Sequence, residues 1–237
     1  MTYSKLESDH FDFKTLATVS DFLLKKAGGI DIFSEKVPAL FRKAIDEVID
    51  APRTSRFVFS ELEKTEKTYV GTKFEILLRN YLKLPKGDVL DLNVNGMEVD
   101  IKTTTGKNWM IPTECMDHPA LLLRVNETTA RCDIGLVVCR PEYMSGGANK
   151  DSKKQISAKA QSNIWWILRD HPYPKNFWEA FPKEKRDRIM SIRAASSRLA
   201  VLFQEVQRVP IHRNQIEAVA QQRDYMKRGV AFASKLQ

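Results

Sequence analysis

Cysteine and histidine are scarce in this chain, with three of the first and four of the second in 237 residues. Cys115, Cys132 and Cys139 have no C-x-x-C spacing and fall in or beside apolar segments. That argues against a zinc site or a disulfide framework and predicts buried free thiols. His10, His118, His171 and His212 are scattered without partners at ligand spacing, so none receives a metal or general-base role. The chain lacks a Walker loop, a G-x-G-x-x-G and a G-x-S-x-G, which removes the usual support for nucleotide hydrolysis and serine chemistry. No apolar run approaches the roughly 20 residues needed to cross a bilayer. Met1 to Lys14 has no signal-peptide core, and the expectation is a cytoplasmic chain without a membrane partner. Internal repeats and low-complexity tracts are also missing.

What is present reads as an ordinary globular protein, with 43% apolar and 29% charged residues. The length suits one large domain, or one domain plus a smaller one. The formal net charge is +8, and it is unevenly placed: residues 1–139 carry −2 and residues 140–237 carry +10. A basic C-terminal portion suggests a polyanion partner, most simply nucleic acid. A solvated basic surface on amphipathic helices explains the same charge.

The chemistry concentrates in Asp91-Leu-Asn-Val-Asn-Gly-Met-Glu-Val-Asp100-Ile-Lys102. Asn95-Gly96 predicts a two-residue type I′ hairpin turn. In that register Val94 faces Met97, Leu92 faces Val99 and Leu90 faces Ile101, which collects the apolar residues on one face. The other face pairs Asn93 with Glu98 and Asp91 with Asp100, with Cβ atoms about 5 Å apart. Like charges so placed are tolerated if a divalent cation lies between them or one carboxyl stays protonated. Lys102 lies on the same face, two residues beyond Asp100. A D-x-K triplet is common on exposed strands and by itself needs no function. Thr72 to Leu84 adds to it, because Phe74, Leu77, Leu78, Tyr81 and Leu82 recur at helical spacing with Glu75 as the one acid among them. An acid on a helix, an acid on one strand and Asp-x-Lys on the next form the ordered pattern of a metal-dependent phosphodiesterase core.

Around this centre the first fifty residues read as helices. One stripe is Leu16, Val19, Phe22 and Leu23, stopped by Gly28-Gly29; the other is Val37, Leu40, Phe41, Ile45 and Val48, broken by Pro52. Arg53 to Thr68 reads as a loop with a short extended piece. Trp109–Pro112, Ala120–Val125 and Asp133–Cys139 read as strands that complete a mixed sheet. Met144 to Lys154 reads as a basic Gly-containing loop opening into a helix near Ser157. From Trp165 onward the pattern is helical, with Trp165, Trp166 and Trp178 as packing anchors. Ile189, Ile192, Leu199, Leu202, Phe203 and Val206 suggest one long helix, and His212 to Gln222 a short one after Pro210.

With Glu75, Asp91, Asp100 and Lys102 in hand, the chain resembles the PD-(D/E)XK nuclease superfamily and, more closely, restriction endonucleases of the NaeI type. The likeness runs through Glu66-Lys-Thr-Tyr-Val-Gly-Thr-Lys-Phe-Glu75, Leu90-Asp91, Gly96–Lys102, Asn108-Trp-Met-Ile-Pro112, Gly146–Lys150 and Gln222–Arg228. It implies that Asp91 and Asp100 ligate Mg²⁺, with Mn²⁺ able to substitute. Glu75 would contribute from its helix, and Ile101 can offer only its backbone carbonyl. Lys102 would orient or activate the attacking water. The first half of the motif reads Leu90-Asp91 in place of Pro-Asp, which removes no catalytic group. Enzymes of this type carry a second DNA-binding domain of winged-helix character, and the residues after about Trp178 are too few for a complete one.

The expected fold is therefore α/β, a restriction-endonuclease-like mixed sheet flanked by helices. Residues 1–164 would form the endonuclease domain and residues 165–237 a helical DNA-binding portion with partial winged-helix or helix-turn-helix character. The expected activity is Mg²⁺-dependent, sequence-specific cleavage of double-stranded DNA by a homodimer in a bacterial cytoplasm. Charge and position nominate Lys73, Arg140, Lys150, Lys153, Lys154, Arg213, Lys227 and Arg228 as DNA contacts, chiefly to phosphate. A strand-nicking repair endonuclease resembling MutH is one alternative. A DNA-binding protein that keeps the nuclease fold without the chemistry is the other.

Overall fold

The structure is a computed structural model that describes residues 6–148, 152–211 and 213–221. Lys150, Lys227 and Arg228 lie outside the described residues. The helices are α1 (Phe13–Ala27), α2 (Ile30–Ile49), α3 (Ala51–Thr54), α4 (Lys64–Leu82), α5 (Phe177–Ala180), α6 (Lys183–Ser191), α7 (Ala195–Glu205) and α8 (Arg213–Ala220). The strands are β1 (Leu92–Val94), β2 (Met97–Thr104), β3 (Met110–Ile111), β4 (Pro119–Asn126), β5 (Arg131–Val138), β6 (Met144–Ala148), β7 (Lys154–Ile156) and β8 (Trp165–Pro172). Contacts divide the chain into two compact units, residues 1–44 with 68–174 and residues 45–67 with 175–237.

In the first unit a five-stranded mixed sheet runs β1-β2-β4-β5-β8, with β2 and β4 parallel and the other pairs antiparallel. The two-residue turn behaves as its sequence requires. Asn95 and Gly96 both have positive φ, 51° and 83°, and Leu92, Asn93 and Val94 face Val99, Glu98 and Met97. Because β4 lies in parallel register beside β2, Ile101 and Thr103 share a face with Leu121 and Leu123. Asp100 and Lys102 share the opposite face with Ala120 and Leu122.

Helix α4 covers the Thr103 side, and α2 packs on it through an edge-to-face contact between Phe41 and Phe74 with centroids 5.2 Å apart. A Cβ on Gly71 would lie 2.9 Å from Thr103 Oγ1, so glycine permits α4 its close approach to β2. The opposite side is capped by a second, three-stranded sheet ordered β3-β7-β6. Ala120 and Leu122 join Trp109, Ile111, Cys115, Met144, Ile156 and Trp166 in one buried core cluster there. The three cysteines are buried free thiols, as expected.

Several local expectations are corrected. Helix α4 begins at Lys64, eight residues before Thr72, so the last five residues of the stretch read as a loop are helix. Its start carries a sequence signal: Glu66 Oε2 accepts the Glu63 N–H at 2.9 Å, which satisfies an otherwise unpaired donor at the helix entrance. Met144 to Lys154 is no plain loop; it contributes β6 and the start of β7, and Ser157 opens no α-helix. Trp165–Pro172 is the edge strand β8, not a helix. Its first four residues are buried in succession, because the sheet is covered on both sides at that point.

The second unit is helical in its C-terminal part. Its core gathers Phe57, Trp178, Ile189, Leu199, Leu202, Ala218 and Val219. The single long helix expected over Ile189–Val206 is two helices, because Ile192 and Ala194 take extended conformations. Neither glycine nor proline marks that break. Arg198 instead donates to the carbonyl of Ile192 at 3.0 Å and to those of Val219 and Ala220 at 2.6 and 3.0 Å, tying α6, α7 and the end of α8 together. Asn176 caps α5, accepting the Trp178 N–H at 2.6 Å, and donates to the Phe57 carbonyl at 3.0 Å.

Candidate active site

The hairpin ladder stops at Leu92–Val99, and from there side chains replace backbone pairing. Asp91 Oδ2 accepts the Ile101 N–H at 2.8 Å, which sets the first carboxylate against β2 one residue past Asp100. Arg79 holds the same residue from α4, donating to the Asp91 carbonyl at 3.3 Å. Asp100 is almost completely buried, with 3% of its surface exposed. Lys102 Nζ donates to Asp100 Oδ1 at 2.8 Å and to the Ile101 carbonyl at 3.2 Å. Nζ also lies 2.7 Å from Asp100 Oδ2, and among the described residues that buried oxygen has no hydrogen-bond partner.

Glu75 faces this group from α4. Burial, and next the Asp91 carboxylate, push its carboxyl up to about 7, with Asp100 adding to the rise and Lys102 and Arg79 opposing it. The Asp91 carboxyl is also raised, first by burial and next by the neighbouring Asp100 carboxyl. Burial alone would lower the Lys102 ammonium, but Asp100, Asp91 and Glu75 outweigh it and raise its pKa. The arrangement holds more negative charge than one lysine neutralises. That is the electrostatic condition of a cation site.

The donor set has the chemistry for a small hard cation. Among the described residues Asp100 Oδ2 lacks a hydrogen bond, the Asp91 carboxylate is adjacent, and the Ile101 carbonyl accepts from the lysine ammonium. Among the described residues no three His, Cys, Asp or Glu side chains converge tightly enough to make a cage. Mg²⁺ characteristically uses one or two carboxylates and completes its shell with water and substrate oxygens, so two carboxylates and a carbonyl suit it.

Glu75, Asp91, Asp100, Ile101 and Lys102 are thus brought together. Lys73 lies on α4 two residues before Glu75, Lys153 immediately precedes β7, and Lys154 is the first residue of β7. Arg213 begins α8 in the second unit and is exposed. Arg140 is committed elsewhere: it forms ion pairs with Asp12 at 2.8 Å and Asp117 at 3.0 Å and covers the Phe11 ring. Two further residues take part. Arg79 stands one helical turn after Glu75, a spacing legible in the sequence. Glu98 shares the active face by the period of two. Its oxygens accept the N–H groups of Asp88, Val89 and Leu90 at 2.8, 3.3 and 2.7 Å, which lowers its pKa.

Residues 28–234 match the family described as restriction endonuclease NaeI. The type II restriction enzyme NaeI of Lentzea aerocolonigenes is 30% identical over 207 residues, covering 84% of this chain. The chain spans 65% of the length of that relative.

Proposed function

Because the chain belongs to the NaeI restriction endonuclease family, we propose that it is a Mg²⁺-dependent, sequence-specific endonuclease of the type II kind that hydrolyses phosphodiester bonds of double-stranded DNA. The observation that carries this reading is the convergence of Asp91, Asp100 and Lys102 on one face of β2, with Glu75 beside them and two carboxyls displaced upward. A surface built for binding alone has no use for buried like charges.

Asp91, Asp100 and the Ile101 carbonyl would hold the metal, with Glu75 completing the acidic wall. A cation held there would supply polarisation of the scissile phosphate and a lower pKa for the attacking water. Lys102 is held as an ammonium by the surrounding carboxylates, so it orients the attacking water and offsets the negative charge that grows on the phosphate during in-line attack. The Ile101 N–H fixes the Asp91 carboxylate and Arg79 fixes its backbone, so little reorganisation is needed when substrate arrives.

Lys73, Lys153, Lys154 and Arg213, with Lys150, Lys227 and Arg228, supply phosphate contacts in this reading. The helices that follow β8, α5 through α8, contribute a DNA-binding portion in this reading. Two copies of the chain act together on a palindromic site, in the cytoplasm of a bacterial cell.

Incubation with plasmid and phage DNAs in Mg²⁺, with EDTA as control, tests the assignment. Discrete fragments that vanish in EDTA are expected. Asp100→Asn should abolish cleavage while DNA binding persists, and full activity of that variant would sink the proposal. Nicked circles alone would point to a repair-type enzyme, and binding without cleavage to a protein that keeps only the fold.

A further inference from the structure

The proposed reaction leaves one acid of the active face without a task. Glu98 precedes Asp100 by two residues on β2, so the strand's period of two projects it on the same side as the catalytic carboxylates. It turns away from them into the loop between α4 and β1. There Oε1 accepts the Asp88 N–H at 2.8 Å, and Oε2 accepts those of Val89 and Leu90 at 3.3 and 2.7 Å. Three successive amides around one carboxylate form an anion nest, here filled by the protein's own side chain.

Gly87 fits this nest sterically. A Cβ at that position would collide with Glu98 Oε2 and lie 2.6 Å from the Leu90 carbonyl oxygen. Neither obstacle can yield cheaply, because one is the clamped carboxylate and the other is backbone. The residue that follows the nest is Asp91. Its main chain is not paired to β2 by the ladder, which ends at Leu92–Val99. Among the interactions that tie the loop end in place are Glu98 on Leu90, the Ile101 N–H on Asp91 Oδ2 and Arg79 on the Asp91 carbonyl.

We propose that Glu98, clamped in the nest that Gly87 leaves open, is a positioning residue that sets where the Asp91 carboxylate sits against Asp100. The assignment rests on the nuclease reading above. It separates the acids of the hairpin by role: Asp91 and Asp100 face the metal, and Glu98 spends its charge on the loop that delivers Asp91. Its loss leaves every metal-facing group present but lets the first carboxylate wander. Misplacement of that kind weakens metal binding more than it slows the chemistry at saturating metal. Partners that orient metal ligands are characteristically worth about 10–100-fold in affinity or activity.

The test compares wild type, Glu98→Gln, Gly87→Ala and Asp91→Asn. Mn²⁺ binding is followed by calorimetry without DNA, cleavage by its dependence on Mg²⁺ concentration, and folding by thermal denaturation. Glu98→Gln keeps the side chain's size but replaces one accepting oxygen with an NH₂ donor that faces amide N–H groups. It is expected to weaken Mn²⁺ binding and to raise the Mg²⁺ needed for half-maximal cleavage by about tenfold. At saturating Mg²⁺ most of the cleavage rate should return, with a thermal midpoint close to wild type. Gly87→Ala should show the same split, and Asp91→Asn should not recover at any metal concentration. If Glu98→Gln binds Mn²⁺ and responds to Mg²⁺ as wild type does, the clamp is overturned and the nuclease reading stands. If wild type neither binds Mn²⁺ nor cuts DNA, the nuclease reading fails and takes the clamp with it.

Discussion

Replacing Glu75 with glutamine should stabilise the metal-free protein at alkaline pH while removing an acid from the site. In the folded chain the Glu75 carboxyl sits near 7 instead of 4.5, because it is half-buried and faces Asp91. Between those two values the native state keeps a proton that the unfolded chain has already released. The native state therefore loses stability as pH rises from about 4.5 to about 7, and the loss persists at higher pH. At about 1.4 kcal/mol per pH unit the ceiling on this penalty is about 3 kcal/mol. Screening by water at a half-buried site reduces it to about 1–2 kcal/mol. For a chain of this length that corresponds to a thermal midpoint higher by about 2–8 °C for Glu75→Gln at pH 8 in EDTA. At pH 4.5 the wild-type carboxyl is itself largely protonated, so the two proteins should melt together. Saturating Mg²⁺ should narrow the gap at pH 8, because a cation bound only by the folded state stabilises wild type by mass action. The assay is thermal denaturation of both proteins at the two pH values, with and without Mg²⁺. A difference between variant and wild type that is the same at pH 4.5 and pH 8 would refute the account of Glu75.

Two further outcomes follow from the packing. Gly71→Ala puts a methyl group 2.9 Å from Thr103 Oγ1 and should cost about 1–3 kcal/mol in denaturant titration. It should also depress cleavage, since Glu75 is one turn further along α4, and adding Thr103→Ala should restore much of both if the contact is the cause. Arg198→Ala removes donors from three backbone carbonyls in the helical unit and should cost about 1.5–3 kcal/mol. Arg198→Lys should recover less than half of that, because a single ammonium cannot reach all three acceptors, and urea unfolding of the two variants measures the difference.

Local rules carried the reading where the sequence contained its own constraint. Asn95-Gly96 admits one hairpin geometry, and that geometry dictates that Leu92 meets Val99 and Asn93 meets Glu98. The buried stripes of α1 and the unbroken apolar runs of β4 and β5 are equally local. Residues 165–168 show where local rules stop. A short apolar aromatic run suits a buried strand or a buried helix alike, and only pairing with β5 decides for the strand. The break after α6 has no sequence marker either, because a hydrogen-bonding arginine six residues downstream helps to hold it.

The active face divides in the same way. A hairpin period of two, read with one turn, places Glu98 and Asp100 on one face; the expected pairing of Asp91 with Asp100 does not form, because the ladder ends at Leu92–Val99 and Asp91 meets β2 through the Ile101 N–H instead. Which acids work together was decided in three dimensions. Glu75 joins Asp91 and Asp100 because α4 lies close against β2 at Gly71, whereas Glu98, equally well placed by period, is drawn off by three amides of the preceding loop. The sequence ordered the charges along the chain. Their pKa values and their division of labour come from burial and from partners distant in sequence, which the order of residues alone does not specify.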